Sequence, residues 1–209
     1  MPWRVRWRDP RRLEPERAPF ANGEFRVRPA HHGDVDALTA LWGEMMAAHR
    51  AVDERFVFAP DVERSVRQHL RSLVRSSDSC VLVLEAGSAL VGYVVGDLHR
   101  RPPWYPAGSF GFVSDMYVCP EWRRKGFGTA LVRALEEWMA ARGVTAIELL
   151  AAERNPGGLA FWRALGYTDY LRMMRREMGP GAASDDLAQG ATMGGDEPRE
   201  DLLDSGDTR

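Results

Sequence analysis

The chain has 209 residues and is 44% hydrophobic, enough for one domain with a packed core and flanking tails. Its formal net charge of −2 argues against a generic nucleic-acid or membrane binder. Two cysteines, Cys80 and Cys119, are too few for a disulfide framework, and no apolar run reaches the roughly 18 residues of a membrane span.

Residues 1–22 carry Pro2, Pro10, Pro15 and Pro19, which exclude a long helix, so they read as an Arg/Pro-rich arm. Trp3 and Trp7 give the arm apolar contacts for the domain surface or for a homodimer interface. No folded basic reader accompanies its arginines, so nucleic acid is not an expected partner. An apolar signal region is missing from the N-terminus, which makes the cytoplasm the default location. Every basic residue except Lys125 is Arg, a skew that fits a GC-rich, bacterial coding sequence.

The main domain is expected over residues 23–178. Glu24–Arg28 alternates as a short strand stopped by Pro29, and His31-His32-Gly33-Asp34 reads as a turn and helix cap. Val35, Leu38, Leu41, Trp42, Met45 and Met46 follow at helical spacing, and a second helix spans about Asp61–Val74. Between them lies a loop, Ala47–Pro60. Cys80–Glu85 and Ala89–Leu98 form a hairpin around Ala86-Gly87-Ser88, and Ser109–Val118 is the next strand. The prolines of Arg101–Gly108 make that stretch a loop. Gly126–Arg142 is an amphipathic helix stopped by Gly143. Val144–Leu150 is a strand, Asn155-Pro156 opens a further helix, and Tyr167–Met178 is a closing strand. The order β-α-α-β-β-β-α-β-α-β implies an α/β or α+β fold with a mixed sheet. Residues 179–209 hold eight acids against two arginines and few large apolar residues, the composition of a disordered tail.

The chemistry concentrates after the strand Val113–Val118. Arg123-Arg124-Lys125-Gly126-Phe127-Gly128 is a basic, Gly-containing loop that runs into a helix N-terminus. Outward N–H groups, the positive helix end and glycines that admit close backbone approach make it a pyrophosphate cradle. It lacks the Gly-Lys-Ser/Thr ending of a P-loop and the G-x-G-x-x-G of a dinucleotide fold.

Arg-x-x-Gly-x-Gly after Asp115-Met116-Tyr117-Val118 resembles the central motif of the GNAT acetyltransferase superfamily. Asn155-Pro-Gly-Gly-Leu-Ala-Phe161-Trp162-Arg-Ala-Leu-Gly166-Tyr167 resembles its second signature, and Phe25–Ala30 with the helix behind it resembles its opening strand and helix. The resemblance covers about Gly23–Met178 and implies the GNAT acyl-CoA N-acyltransferase fold. It implies acetyl-CoA as co-substrate, held by Met116, Tyr117 and Val118, by Arg123, Arg124, Lys125, Gly126, Phe127, Gly128 and Thr129, and by Asn155, Phe161 and Trp162. It also implies direct attack of a neutral amine on the thioester, with no metal and no acyl-enzyme.

Two departures stand out. Trp162 occupies the position of the family's usual tyrosine acid, and Ser114 replaces a frequent glutamate base. Asp115 and Glu148 remain as candidate catalytic carboxylates, each with a purely structural reading beside it. Alternation puts Asp115 on the strand face of Val113 and Tyr117. By the family's layout His49, Asp53, Trp104 and Tyr105 line the acceptor site, where aromatics and carboxylates suit a small cationic amine. Protein N-termini or lysines are alternative acceptors, and a non-catalytic acyl-CoA-binding module is the alternative class.

Overall fold

The computed structural model describes residues 25–104 and 108–176. The arm over 1–22, the acidic tail over 179–209 and Tyr105 lie outside the described residues. Among the described residues five strands and four α-helices follow one another: β1 (Phe25–Pro29), α1 (Val35–Val52), α2 (Val62–Arg75), β2 (Ser79–Ala86), β3 (Ala89–Arg100), β4 (Ser109–Val118), α3 (Phe127–Ala140), β5 (Ile147–Leu149) and α4 (Pro156–Ala164). The sheet order is β1-β2-β3-β4-β5, antiparallel except for the parallel β4–β5 pair. This is the mixed-sheet α+β class that the element order implies.

Local chemistry fixes the element ends. The His31 ring accepts the Gly33 N–H at 3.1 Å, and the Asp34 carboxylate accepts the His31 N–H at 2.8 Å, a reciprocal cap just before α1. The same carboxylate takes two bonds from Arg28 of β1, at 2.7 and 2.9 Å. Although burial opposes its charge, those bonds hold Asp34 below the ordinary carboxylate range. Gly143, at φ 77°, ends α3 in the left-handed region that favours glycine.

The two sheet faces carry different partners. On one, α3 packs so closely that a Cβ on Gly111 would meet the Met139 side chain, and one on Gly96 would meet Met139 and Leu135. On the other, the Tyr93 hydroxyl lies 3.7 Å from Met45 Sδ of α1. Leu38, Leu82, Leu84, Val94, Leu131 and Leu135, each 1% exposed or less, fill the core between the layers.

The register shifts within β4. Val95 pairs with Asp115, but Gly96 pairs with Val113, so Ser114 is an extra residue, a β-bulge. It reverses the side-chain phase. Val113 faces α3 with Gly96 and Gly111, whereas Asp115 and Tyr117 face α1 with Tyr93. The simple alternation that grouped Asp115 with Val113 is therefore corrected; its pairing with Tyr117 stands.

Two other expectations change. The strand expected over Val144–Leu150 shortens to three residues, because the Val144 N–H is bonded to the Met139 carbonyl of the preceding helix end. The closing strand expected over Tyr167–Met178 is not formed over 167–176; residues 177 and 178 lie outside the described residues. The chain divides into compact units at Met1–Thr168 and Asp169–Arg209. In the second unit, Tyr170, Leu171, Met173 and Met174 are all exposed. Their apolar residues come in adjacent pairs rather than alternating, and extended propensity without a ladder partner does not make a strand.

Replacing Gly111 with Val should cost about 1–3 kcal/mol of stability, since the new side chain must displace Met139. Urea unfolding should show that the cost shrinks in a Met139→Ala background, because the obstructing atoms are then gone.

Candidate active site

Pairing between β4 and β5 covers Gly111 with Ile147, Phe112 with Glu148 and Val113 with Leu149, and then stops. The bulge residue Ser114 comes next. From there β4 stays bonded to β3 but, among the described residues, has no neighbour in the ladder on its other side. The Cys119 N–H donates to the Val91 carbonyl at 2.9 Å. Alternation then turns the Tyr117 and Asp115 amides toward β3 and the Met116 and Val118 amides toward the open side.

That open edge leads into the basic loop. Pro120–Trp122 makes a 3₁₀ turn, and Arg124 (φ 62°) and Gly126 (φ 84°) are left-handed. The first α-helical bond of α3 runs from the Ala130 N–H to the Gly126 carbonyl, and no side chain caps the helix. The amides of Gly128 and Thr129 thus point out of the helix end. A Cβ on Gly128 would sit 2.7 Å from Met116 and 3.2 Å from the Phe161 ring, so glycine keeps backbone, Met116 and Phe161 in close apposition. Arg123 folds back: its Nε donates to the Val118 carbonyl at 2.8 Å and its guanidinium lies 5.4 Å from the Tyr117 ring centre. Lys125 stands over the Trp122 ring at 4.8 Å, while Arg124 is exposed. The loop therefore presents backbone amides, with positive charge around them.

The second motif closes the other side. Asn155 caps α4, its Oδ1 accepting the Gly158 N–H at 2.9 Å. Phe161, Trp162 and Tyr167 form an edge-to-face series with centres 5.1 Å apart at each step. The Tyr167 hydroxyl donates to Glu136 of α3 at 3.1 Å; burial, then that carboxylate, pushes its pKa upward.

On the face covered by α1, the candidate carboxylates have unlike surroundings. Asp115 makes no hydrogen bond among the described residues. Burial raises its pKa, the His69 and His49 imidazoles work against that rise, and Asp97 adds to it. Asp97 accepts the Ser114 hydroxyl at 3.3 Å. Glu148 is engaged by Arg101 at 2.8 Å. Asp53, 6% exposed, is held by Arg55 at 2.5 Å with Arg154 at 3.6 Å; Arg55 keeps it far below the usual carboxylate range. It thereby ties the loop after α1 to the segment before α4. His49 packs against Phe56, ring centres 5.0 Å apart. Trp104 is 81% exposed and so does not cover the sheet.

Glu44 of α1 joins this face without a motif in the sequence to mark it. Its Oε2 accepts the Tyr117 hydroxyl at 3.2 Å and lies 3.9 Å from Cys119 Sγ. Burial, then Glu44, pushes the Tyr117 pKa up to about 12. The spacing of Glu44, three residues after the buried Leu41 of α1, is the one hint at this contact in the sequence. Among the described residues no group of three or more His, Cys, Asp or Glu is placed to hold a metal, and no helix is long and apolar enough to cross a membrane.

Residues 43–167, more than half of the chain, match the family model described as the acetyltransferase (GNAT) family. An uncharacterized N-acetyltransferase of Methanocaldococcus jannaschii, MJ1207, is 24% identical over 164 residues, covering 73% of this chain and 67% of that protein. The L-2,4-diaminobutyric acid acetyltransferase of Nocardia farcinica is 33% identical over 91 residues, 44% of this chain and 45% of that enzyme, so the match spans less than half of its length. A predicted acetyltransferase of Clostridium acetobutylicum, solved with acetyl-CoA, superposes with a TM-score of 0.60 at 17% identity, over 73% of this chain and 96% of that one. On the family-model match, with the split sheet and amide-lined loop beside it, the chain belongs to the acetyltransferase (GNAT) family.

Proposed function

We propose that this N-acetyltransferase moves an acetyl group from acetyl-CoA directly to a primary amine on a small cationic molecule. The observation that carries the reading is the coincidence at Ser114: the β4–β5 ladder ends where the bulge begins, and the edge so opened runs straight into the amide-lined end of α3. An extended pantetheine arm needs backbone partners along its length, and Met116 and Val118 supply them. The pyrophosphate needs converging amides and positive charge, and Gly126–Thr129 with Arg124 and Lys125 supply those. Bound acetyl-CoA contributes the activated thioester carbonyl. The chain's residues present it on β4, with the Val118 amide on the open side as oxyanion donor.

The acceptor approaches over the face of Asp115. A cationic amine must lose a proton before it attacks, and among the described residues Asp115 is the carboxylate beside the open edge that makes no hydrogen bond. Its raised pKa makes it a stronger base than an ordinary aspartate. Glu148 and Asp53, already paired with arginine, serve the scaffold in this reading, and Asp53 anchors the loop that carries the acceptor side. Asp97, Asp115 and Glu44 make the face acidic, which favours a cation. The diaminobutyrate named for the Nocardia relative is a substrate of that kind.

A second reading has its own observation. Trp162 stands where a hydroxyl is usual, and Tyr167 donates to Glu136 instead, as a non-catalytic acyl-CoA module would have it. A thiolate leaves without an acid, so the catalytic reading is preferred. Release of free CoA across diamines, amino acids, aminoglycosides, peptide N-termini and lysine peptides separates the two. Turnover is expected on small cationic amines; tight acetyl-CoA binding with no turnover on any class would support the module instead.

Asp115→Asn should lower kcat about 100-fold or more. In the wild type, kcat/KM should rise with pH through the raised Asp115 pKa, above the usual aspartate value of about 4, and Asp115→Asn should remove that limb. Gly128→Val should weaken acetyl-CoA binding at least about tenfold by calorimetry, since its side chain would fill the space between Met116 and Phe161.

A further inference from the structure

We propose that His49 is the proton relay of this site: its Nε2 takes on the proton that Asp115 draws from the acceptor ammonium. The inference rests on the acetyltransferase reading and adds to it the destination of the proton.

Three observations place His49 in that role. The first is the ring's protonation pattern. His49 Nδ1 lies 2.9 Å from the Met45 carbonyl oxygen. A carbonyl only accepts, so Nδ1 carries the hydrogen, and in the neutral ring Nε2 holds the lone pair. The second is that the ring is held. It is half-buried, and Phe56 packs against it at 5.0 Å, so its direction is set by α1 and the loop that follows. The third is its surroundings. His49 is one turn beyond Met45, on the stripe of α1 that meets Tyr93, and Asp115 lies on that same sheet face beside Tyr117. As a cation the His49 ring stabilises the Asp115 carboxylate, second to His69.

Asp115 has its own need for such a neighbour. A buried carboxylate can orient an ammonium and draw off its proton, but it must return that proton to water before the next turnover. His49 is in the last turn of α1, half-buried between the exposed Ala48 and Arg50, where a proton can reach solvent. The other charged or titratable groups on this face are Tyr93 and Asp97 of β3, Glu44 of α1, Tyr117 and Cys119 at the end of β4, Glu148 of β5 with its partner Arg101, and His69 of α2. His69 acts on Asp115 more strongly than His49 does, yet it is exposed and makes no hydrogen bond among the described residues, so nothing fixes its ring.

The step balances as follows. One N–H bond of the ammonium breaks and its proton goes to the Asp115 carboxylate, which passes it to Nε2 directly or across one water. The freed lone pair forms the N–C bond at the thioester carbon. The C–S bond then breaks, the thiolate leaves, and the remaining excess proton of the nitrogen passes to it through solvent, giving CoA thiol and the amide. The imidazolium gives its proton to bulk water.

The test compares wild type, His49→Ala, His49→Gln and His69→Gln on the best amine of the panel, with acetyl-CoA binding measured by calorimetry as the check on folding. Both His49 variants should bind acetyl-CoA normally and lose about 100-fold or more in kcat. Added imidazole should restore part of the rate to His49→Ala, more at about pH 8 than at about pH 6, because the neutral ring is the base. His49→Gln, whose side chain fills the space, should not be rescued, and His69→Gln should stay within about threefold of wild type. If both His49 variants keep kcat within about threefold while wild type turns over, the proposal fails and the acetyltransferase reading survives. A loss in kcat that imidazole does not rescue, with acetyl-CoA binding intact, would make the ring structural and also overturn it. A wild type that releases no CoA on any amine would sink the broader reading, and this one with it.

Discussion

One residue in the middle of β4 organises the molecule. Ser114 has no partner on β3, so the strand changes phase there. Before it, β4 is bonded on both sides and Val113 packs under α3. After it, β4 keeps only β3, its amides alternate between a bonded side and an open one, and Asp115 and Tyr117 turn toward α1. A β-bulge adds local twist as well as an extra residue, and twist is what carries β4 and β5 apart after a three-residue ladder. The unpaired backbone that results would be a liability at an ordinary sheet edge. Here it continues into a helix end that is uncapped and rimmed by arginine and lysine, so donors and acceptors for an extended, anionic ligand lie along one line.

The reacting face follows from the same phase change. Had β4 run without the bulge, Asp115 would share the α3 face with Val113, an aspartate beneath Leu135 and Met139 in the core. The bulge delivers it to the α1 side, where it stays partly desolvated but meets imidazoles and polar groups. The surrounding ion pairs then sort the acids by availability. Arginines take Glu148, Asp53, Glu85 and Asp34, which brace loops and strand ends. Asp115 receives no such partner among the described residues. A carboxylate held by arginine is a poor proton acceptor, whereas a desolvated one without a cation is a better one.

Much of this was legible in the sequence, for identifiable reasons. The hairpin at Gly87, the helix end at Gly143 and the start of α4 at Asn155-Pro156 are local signals, and local chemistry decides them. The loop Arg123–Gly128 was readable because its job is done by backbone, which needs glycine at fixed places. The bulge was not readable, since two-residue alternation has no local marker for an extra residue, and so the face of Asp115 was half misassigned. Glu44 and the partners of Asp53 and Glu148 were hidden for another reason: each contact joins residues distant in sequence or depends on which rotamer an arginine takes. The closing strand expected over Tyr167–Met178 needs a ladder partner, which no local pattern supplies.

The central claim is that β4 beyond Ser114 offers alternate amides to the cofactor. Amide hydrogen exchange at single-residue resolution, with and without acetyl-CoA, tests it most directly. Met116 and Val118 should exchange rapidly in the free protein and become protected when acetyl-CoA binds, while Asp115 and Tyr117, bonded to β3, stay protected throughout. Protection of Met116 and Val118 in the free protein, or no change at either on binding, would contradict the account.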